Sequence, residues 1–164
     1  MDILIVENEE SVARALIFLL ATSEHQARRA NDLGSAMRSL DDALPDVALV
    51  DIGLANGSSG IDVALELKKR GVPCIFMSAD MPKGVGWDLA VGCLHKPFDA
   101  ESLFAALERA RNPGSPLARA TGLLGCFEPY GEPAGAGPSR PKPSVPDRDG
   151  KAPRTGRPPR KPSS

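Results

Sequence analysis

Cysteines and long apolar runs are both scarce in this 164-residue sequence, and each shortage excludes a class of protein. The three cysteines, Cys74, Cys93 and Cys126, are an odd number without a Cys-X-X-Cys spacing, which is typical of reduced core thiols. The longest apolar stretch, residues 15–21, is too short to cross a bilayer, and the N-terminus has no basic region that would open a signal peptide. We therefore expect a cytoplasmic protein without a membrane span.

Proline is also scarce until late in the chain, where the charge changes sign. Of the 16 prolines, 12 lie from Pro113 onward. The residues after Arg111 include 9 basic and 4 acidic side chains, against 11 basic and 17 acidic before that point, so the charges are about +5 and −6. A Pro-rich segment with few apolar residues cannot bury enough surface to offset its ordering entropy. We predict one domain over residues 1–111 and a disordered, Pro-rich basic tail over residues 112–164.

The acidic charge of the predicted domain argues against direct nucleic-acid binding by the domain itself. The charge of the basic tail is compatible with nucleic-acid binding by the tail. No DNA-binding domain is recognised after the predicted fold, so we expect output through protein contacts or through the tail.

Alternating apolar patterns predict an α/β fold. Apolar runs of strand length occur at residues 3–6, 47–50, 74–77 and 91–95, and a more polar run, suited to a sheet edge, at residues 25–30. Apolar residues recur at helical spacing between and after them, in stripes that include Leu16, Leu44, Leu65 and Leu107, and residues 82–90 form a short, glycine-interrupted fourth helix. Strands that alternate with helices specify a mainly parallel sheet with right-handed crossovers.

Polar side chains follow the predicted strands at the points where the strands end. Glu7 and Asn8 come after the first strand, Asp51 after the third, Ser78 after the fourth and Lys96 after the fifth. In a doubly wound sheet, chemistry gathers at the carboxyl ends of the strands. Carboxylates there can hold Mg²⁺, and a hydroxyl and an ammonium can bind the oxygens of a transferred phosphoryl group. The set is typical of phosphoryl transfer.

Four strings that carry these residues, LIVENEE, VALVDIGL, IFMSAD and LHKPF, resemble the four signature segments of response-regulator receiver domains. The resemblance covers residues 1 to about 111, and the stretch after Asp51 resembles a single-domain type with a Gly/Ser-rich loop. It implies a flavodoxin-like (βα)5 fold with a doubly wound five-stranded parallel sheet in the order 2-1-3-4-5. It also implies roles for six residues: Asp51 as phosphoacceptor with Ser78 and Lys96, and Mg²⁺ held by Glu7, Asn8, Asp51 and the backbone carbonyl of Gly53.

The chain departs from that family pattern at the metal site and on the usual output face. Asn8 replaces an acid that usually ligates the metal, which predicts lower Mg²⁺ affinity. Cys93 stands where an aromatic switch residue is usual, and the stretch from Ser78 to Lys96 is about one helical turn shorter than in many receivers.

The leading hypothesis is phosphorelay signalling, in which Asp51 accepts a phosphoryl group from a sensor histidine kinase or phosphotransfer protein and switches partner binding. Such a protein is a phosphoacceptor switch and not an enzyme, with at most Mg²⁺-dependent self-phosphorylation and self-dephosphorylation. The output partner and the oligomeric state stay open.

A receiver-like adaptor that no longer accepts phosphate is the alternative, and Asn8 motivates it. An aspartyl phosphatase is disfavoured because Gly53 stands where such enzymes carry a second aspartate. A dinucleotide-binding fold is disfavoured because no glycine fingerprint follows the first strand.

Overall fold

The computed structural model of the chain describes residues 1–54, 59–80, 88–112 and 127–129. Several predictions therefore lie outside the described residues: the middle of the Gly/Ser-rich loop, most of the fourth helix at 82–90, Cys126, and nearly all of the tail.

Five parallel strands form the sheet that the sequence predicts. They are β1 (Asp2–Val6), β2 (Gln26–Ala30), β3 (Val47–Asp51), β4 (Cys74–Ser78) and β5 (Gly92–His95), in the order β2-β1-β3-β4-β5. Four described helices connect or follow them: α1 (Glu10–Ala21), α2 (Leu33–Asp42), α3 (Gly60–Lys69) and α4 (Ala100–Arg111). The doubly wound, five-stranded parallel fold is confirmed. None of these helices is both long and apolar enough to span a membrane.

Helices cover both faces of the sheet and divide the core into two layers. One layer joins α1 and α4 to strand residues such as Ile5 and Leu49, and the other joins α2 and α3 to residues such as Val50 and Phe76. Because both faces are covered, the central strands are apolar throughout and need no polar alternation. Cys74 and Cys93 are buried in the second layer, as the sequence predicts.

Three of the four described helices begin with a side-chain cap. Asp32 and Ser35 form a capping box at α2, Ser59 accepts the amide of Ile61 at α3, and Asp99 accepts the amide of Ser102 at α4. In contrast, α1 begins after Glu9 without a side-chain cap hydrogen bond. The loop that leads into α1 must therefore be held in another way.

Two predicted stripe residues lie outside the core. Leu44 was expected to continue α2, but that helix ends at Asp42 and Leu44 is exposed. Since Pro45 follows directly, the helical conformation is disfavoured at Leu44. Leu65 does lie on α3, yet it is exposed, because Val63, Ala64 and Leu67 form the buried face of that helix.

A sixth strand, β6 (Phe127–Pro129), lies within the segment that the sequence predicts as a disordered tail. It pairs antiparallel with β5, with Glu128 opposite Cys93. The pairing closes the edge of the sheet that β5 would otherwise leave open. The sequence contains no periodic signal for this strand, because three residues are too few to show alternation.

Gly60, the first residue of α3, packs against the backbone that carries Asp51. A Cβ atom at Gly60 would lie 2.2 Å from the carbonyl oxygen of Asp51 and 2.8 Å from the Cα of Ile52. The Gly60 amide also donates to the Ile52 carbonyl at 3.3 Å. Only a residue without a side chain permits this approach, since both neighbouring atoms belong to the backbone.

We expect Gly60→Ala to destabilise the protein by about 1–3 kcal/mol, because the backbone of β3 or α3 must shift to admit the methyl group. Gly34→Ala is the matched control, since a Cβ there would lie 3.5 Å from Arg38 Nη1, an ordinary contact. It should stabilise α2 by about 0.5–1 kcal/mol. Urea denaturation measures both changes, and equal stabilities for the two variants would contradict the packing argument.

Candidate functional site

Lys96 joins the carboxyl ends of β1 and β3 through its ammonium group. Its Nζ lies 2.7 Å from Glu7 Oε2 and 3.0 Å from Asp51 Oδ2. The strand register makes this possible, because Val6 pairs with Val50 and so Glu7 and Asp51 are adjacent beyond the pair. The exposed fractions of the three side chains are 2% for Glu7, 14% for Asp51 and 24% for Lys96. The bridge is therefore largely shielded from water.

Glu7 is held from several sides. Its second carboxylate oxygen, Oε1, accepts the Glu9 amide at 3.0 Å, and its own amide donates to the carbonyl of Ala30 on β2. Burying a carboxylate is costly unless it is paired and hydrogen-bonded, and both conditions are met here. Glu7 thus combines a structural role with a place at the site.

Asp51 ends β3 with one oxygen on the lysine and the other on the backbone. Oδ1 accepts the Gly53 amide at 3.0 Å, while Oδ2 takes the Lys96 ammonium. These contacts fix the orientation of the Asp51 carboxylate at the mouth of the site.

The pKa of Lys96 reflects two opposing causes. Burial lowers it, but the hydrogen bonds and negative charges of Glu7 and Asp51 outweigh burial, so the pKa lies above its ordinary value of 10.5. Lys96 is accordingly a fixed positive charge at neutral pH. A fixed ammonium beside a carboxylate nucleophile can bind the oxygens of an incoming anion.

Ser78 lies at the predicted strand end, but its hydroxyl is engaged within its own turn. It donates to the carbonyl of Asp80 and accepts the Asp80 amide at 3.2 Å. Its carbonyl accepts the Lys96 amide at 2.8 Å, which ties β5 to β4 beside the bridge. Ser78 is therefore brought near Lys96 through the backbone, while its side chain bonds elsewhere.

The predicted metal ligands form an all-oxygen set with few charges. Asn8 follows Glu7 on the loop to α1 and is exposed, and Gly53 follows Asp51 by two residues. Within the described ranges, no cluster of three or more His, Cys, Asp or Glu side chains is placed to hold a metal ion. Any cation here would depend on the side-chain oxygen of Asn8 and the backbone carbonyl of Gly53, in addition to the carboxylates of Glu7 and Asp51.

Two residues beside the site are not predicted from the sequence. Gly60 allows α3 to approach the Asp51 carbonyl, and Arg29 on β2 donates to the carbonyls of Glu7 and Asn8. The arginine did carry a signal, because a charged residue in the strand that borders β1 needs a partner near the end of β1. Nothing in the sequence marks Gly60, since its role depends on a close approach of two elements.

Known proteins are similar to this chain in sequence and in fold. The family model described as "Response regulator receiver domain" matches residues 3–108. The sensory transduction protein RegX3 of Mycobacterium tuberculosis is 38% identical over 111 residues, covering 65% of this chain and 48% of RegX3. The transcriptional regulatory protein DltR of Streptococcus agalactiae is 35% identical over 129 residues, covering 75% and 57%. The chain thus spans about half the length of these curated relatives.

A solved structure gives the same result for the fold. The signal receiver domain of a modulated diguanylate cyclase from Desulfovibrio desulfuricans is 27% identical, with a TM-score of 0.62 over 68% of this chain and 94% of that one.

We expect Lys96→Met to destabilise the protein by about 3 kcal/mol at neutral pH, because it leaves the buried Glu7 carboxylate without its counter-charge. Because the folded pKa of Lys96 is raised, its contribution is complete below pH 10.5 and is lost as the pH rises through the folded pKa. The parent protein should therefore lose this stabilisation in alkali, and the variant should not. Urea denaturation across pH measures the difference.

Lys68→Met is the matched control for this prediction, since its partner Asp88 and Lys68 itself are exposed. An exposed pair contributes little, so this variant should keep the parent's stability and alkaline profile. Equal losses of stability in the two variants would show that the Lys96 bridge contributes no more than an exposed ion pair.

Proposed function

This chain belongs to the response regulator receiver domain family, and we propose that Asp51 is its phosphoacceptor in a phosphorelay. The observation that carries the proposal is the Lys96 bridge, which places a fixed ammonium 3.0 Å from Oδ2 of a partly accessible carboxylate. A carboxylate in this position is a nucleophile, and the neighbouring cation can neutralise charge on an incoming phosphoryl group.

The phosphoryl donor in the proposal is a phosphohistidine of a sensor histidine kinase or phosphotransfer protein. A carboxylate oxygen of Asp51 attacks phosphorus as the phosphorus–nitrogen bond breaks, and the imidazole leaves with the electron pair and takes up a proton. The product is an aspartyl phosphate. Lys96 can pair with a phosphoryl oxygen and keep its contact with Glu7, because an ammonium group has three donors.

Mg²⁺ is the proposed cofactor, held by Glu7, Asn8, Asp51 and the Gly53 carbonyl. The donors fit, because Mg²⁺ prefers hard oxygen ligands and both carboxylates retain acceptor capacity beyond the hydrogen bonds they make. When bound, the metal neutralises charge between the carboxylate and the phosphoryl oxygens. With neutral Asn8 in the set, we propose an affinity lower than an aspartate would give. Self-phosphorylation and self-dephosphorylation belong to the same proposal.

Ser78 is the proposed hydroxyl ligand of the phosphoryl group. To reach it, the hydroxyl must leave the Asp80 carbonyl, and a rotation about χ1 would break that bond. This exchange offers a local change at the end of β4 on phosphorylation. We propose that the change alters binding of an output protein.

A cytoplasmic location is proposed on the state of the cysteines. Cys74 and Cys93 are buried thiols, and burial raises the pKa of the Cys74 thiol, which keeps it protonated and inert. Free thiols of this kind suit a reducing compartment.

A receiver-like adaptor that does not accept phosphate is the second candidate, favoured by one observation. Asn8 contributes no charge to the proposed metal site, and the described residues hold no acidic cluster for a metal. Such a protein would bind partners without a phosphorylation signal.

We expect acetyl phosphate with Mg²⁺ to add one phosphoryl group to the full chain, seen by intact mass, and Asp51→Asn to abolish the addition. Asp42→Asn, an exposed aspartate on α2, is the control and should label like the parent. Labelling of Asp51→Asn would contradict the assignment of the acceptor. Labelling of an Asn8→Asp variant alone, with an unlabelled parent, would instead favour the adaptor and identify Asn8 as the cause.

We further propose that residues 112–164 are dispensable for phosphorylation and serve partner binding or localisation. Within this segment, β6 contributes to the sheet. A chain that ends at Tyr130 keeps β6 and should match the full chain in labelling rate and melting temperature. A chain that ends at Arg111 should label equally but melt lower and associate as concentration rises, because the β5 edge is unpaired. Loss of labelling in the chain that ends at Tyr130 would contradict the proposed boundary.

A further inference from the structure

We propose that Arg29 is a positioning residue that holds the loop carrying Glu7 and Asn8 in the geometry that binds Mg²⁺. The inference rests on the proposed function, since it concerns the same metal site, but it assigns a role to a residue of the edge strand β2. Arg29 touches neither Asp51 nor Lys96 through any hydrogen bond described for it, and it acts through the backbone of the loop.

The contacts of Arg29 join β2 to two successive peptide units of the loop. Arg29 pairs with Ile5 in the register of β2 and β1, and its side chain extends past the end of β1. Its Nε donates to the carbonyl of Glu7 at 3.1 Å, and its Nη2 donates to the carbonyl of Asn8 at 2.9 Å. Because the Glu7 amide also donates to the Ala30 carbonyl, β2 holds this loop from both sides of Glu7.

The loop needs this support because α1 provides little. Alone among the four described helices, α1 begins without a side-chain cap hydrogen bond. The Glu9 amide, next to the first turn, is instead bonded to the Glu7 carboxylate. The position of the site and the start of the helix are thus coupled through Glu7, and Arg29 holds the two peptide units that lie between Glu7 and Glu9.

An arginine suits this role because its guanidinium is planar and rigid. Nε and one Nη present their hydrogens side by side, so they can hold two neighbouring carbonyls in fixed relation. A lysine is a flexible point charge and cannot impose the same geometry. The guanidinium therefore fixes the positions of the two carbonyls through its planar shape, in addition to contributing a positive charge.

Arg28, the neighbouring residue, provides a matched control. It carries the same charge on the same strand, but its contacts are with the carbonyl of Ala43 and with the Asp2 carboxylate at 3.5 Å. These partners lie at the start of β1 and after α2, away from the loop of Glu7 and Asn8.

The experiment titrates the full chain with Mg²⁺ alone by calorimetry, without a phosphodonor, for Arg29→Gln, Arg29→Lys and Arg28→Gln. Positioning predicts a dissociation constant about tenfold higher for both Arg29 variants, the lower end of the loss typical when a partner that orients a metal ligand is removed. If Arg29 acted only through its charge, Arg29→Gln should bind Mg²⁺ more tightly, because it removes a cation near the site. Arg29→Lys should then bind Mg²⁺ as the parent does. Arg28→Gln should remain within about twofold of the parent.

Amide hydrogen exchange supplies a second measurement that needs no metal. The Glu9 amide should exchange faster in both Arg29 variants and at the parent rate in Arg28→Gln, because loosening the loop frees the bond from Glu9 to the Glu7 carboxylate. Unchanged or tighter Mg²⁺ binding in the Arg29 variants overturns the inference. If the parent binds no measurable Mg²⁺, unchanged Glu9 exchange overturns it. Failure of Asp51 labelling alone, with the Mg²⁺ shift intact, would refute the proposed function and leave the role of Arg29 standing.

Discussion

The bridge from Lys96 to Glu7 and Asp51 is the interaction on which the site depends. Two carboxylates lie side by side at the ends of β1 and β3, and in a shielded place their like charges repel each other. One ammonium that reaches both removes this conflict. It comes from beyond β5, two strands away from β3, so only a long side chain can span the end of β4 between them.

Each parallel strand contributes one part of this arrangement. Glu7 follows β1, Asp51 ends β3, and Lys96 follows β5, while β4 supplies the carbonyl that accepts the Lys96 amide. The edge strand β2 holds the loop after β1 through Arg29. The carboxyl ends of parallel strands lie at the same edge of the sheet, which is why residues from all parts of the domain can cooperate there.

Most of the fold could be predicted because it follows from local pattern. Apolar runs buried on both faces specified the central strands, and helical stripes specified the helices between them. Two helix predictions were wrong: Leu44 lies beyond the end of α2, directly before Pro45, and Leu65 lies on the exposed face of α3. The short strand β6 forms against an open strand edge. A three-residue strand has no periodicity to read, since its stability comes from its partner.

The residue types at the strand ends were determined by the sequence, and with them the chemistry expected of Glu7, Asp51 and Lys96. Tertiary structure alone decided which atoms meet: Lys96 bonds both carboxylates, Ser78 turns to Asp80, and Arg29 reaches the carbonyls of Glu7 and Asn8. The physical reason is the separation along the chain over which each kind of interaction acts. Alternation and helical spacing are properties of neighbours along the chain. A hydrogen bond instead tolerates only a few tenths of an ångström of error in the distance between its atoms, and for residues far apart in sequence that distance is set by strand register and packing.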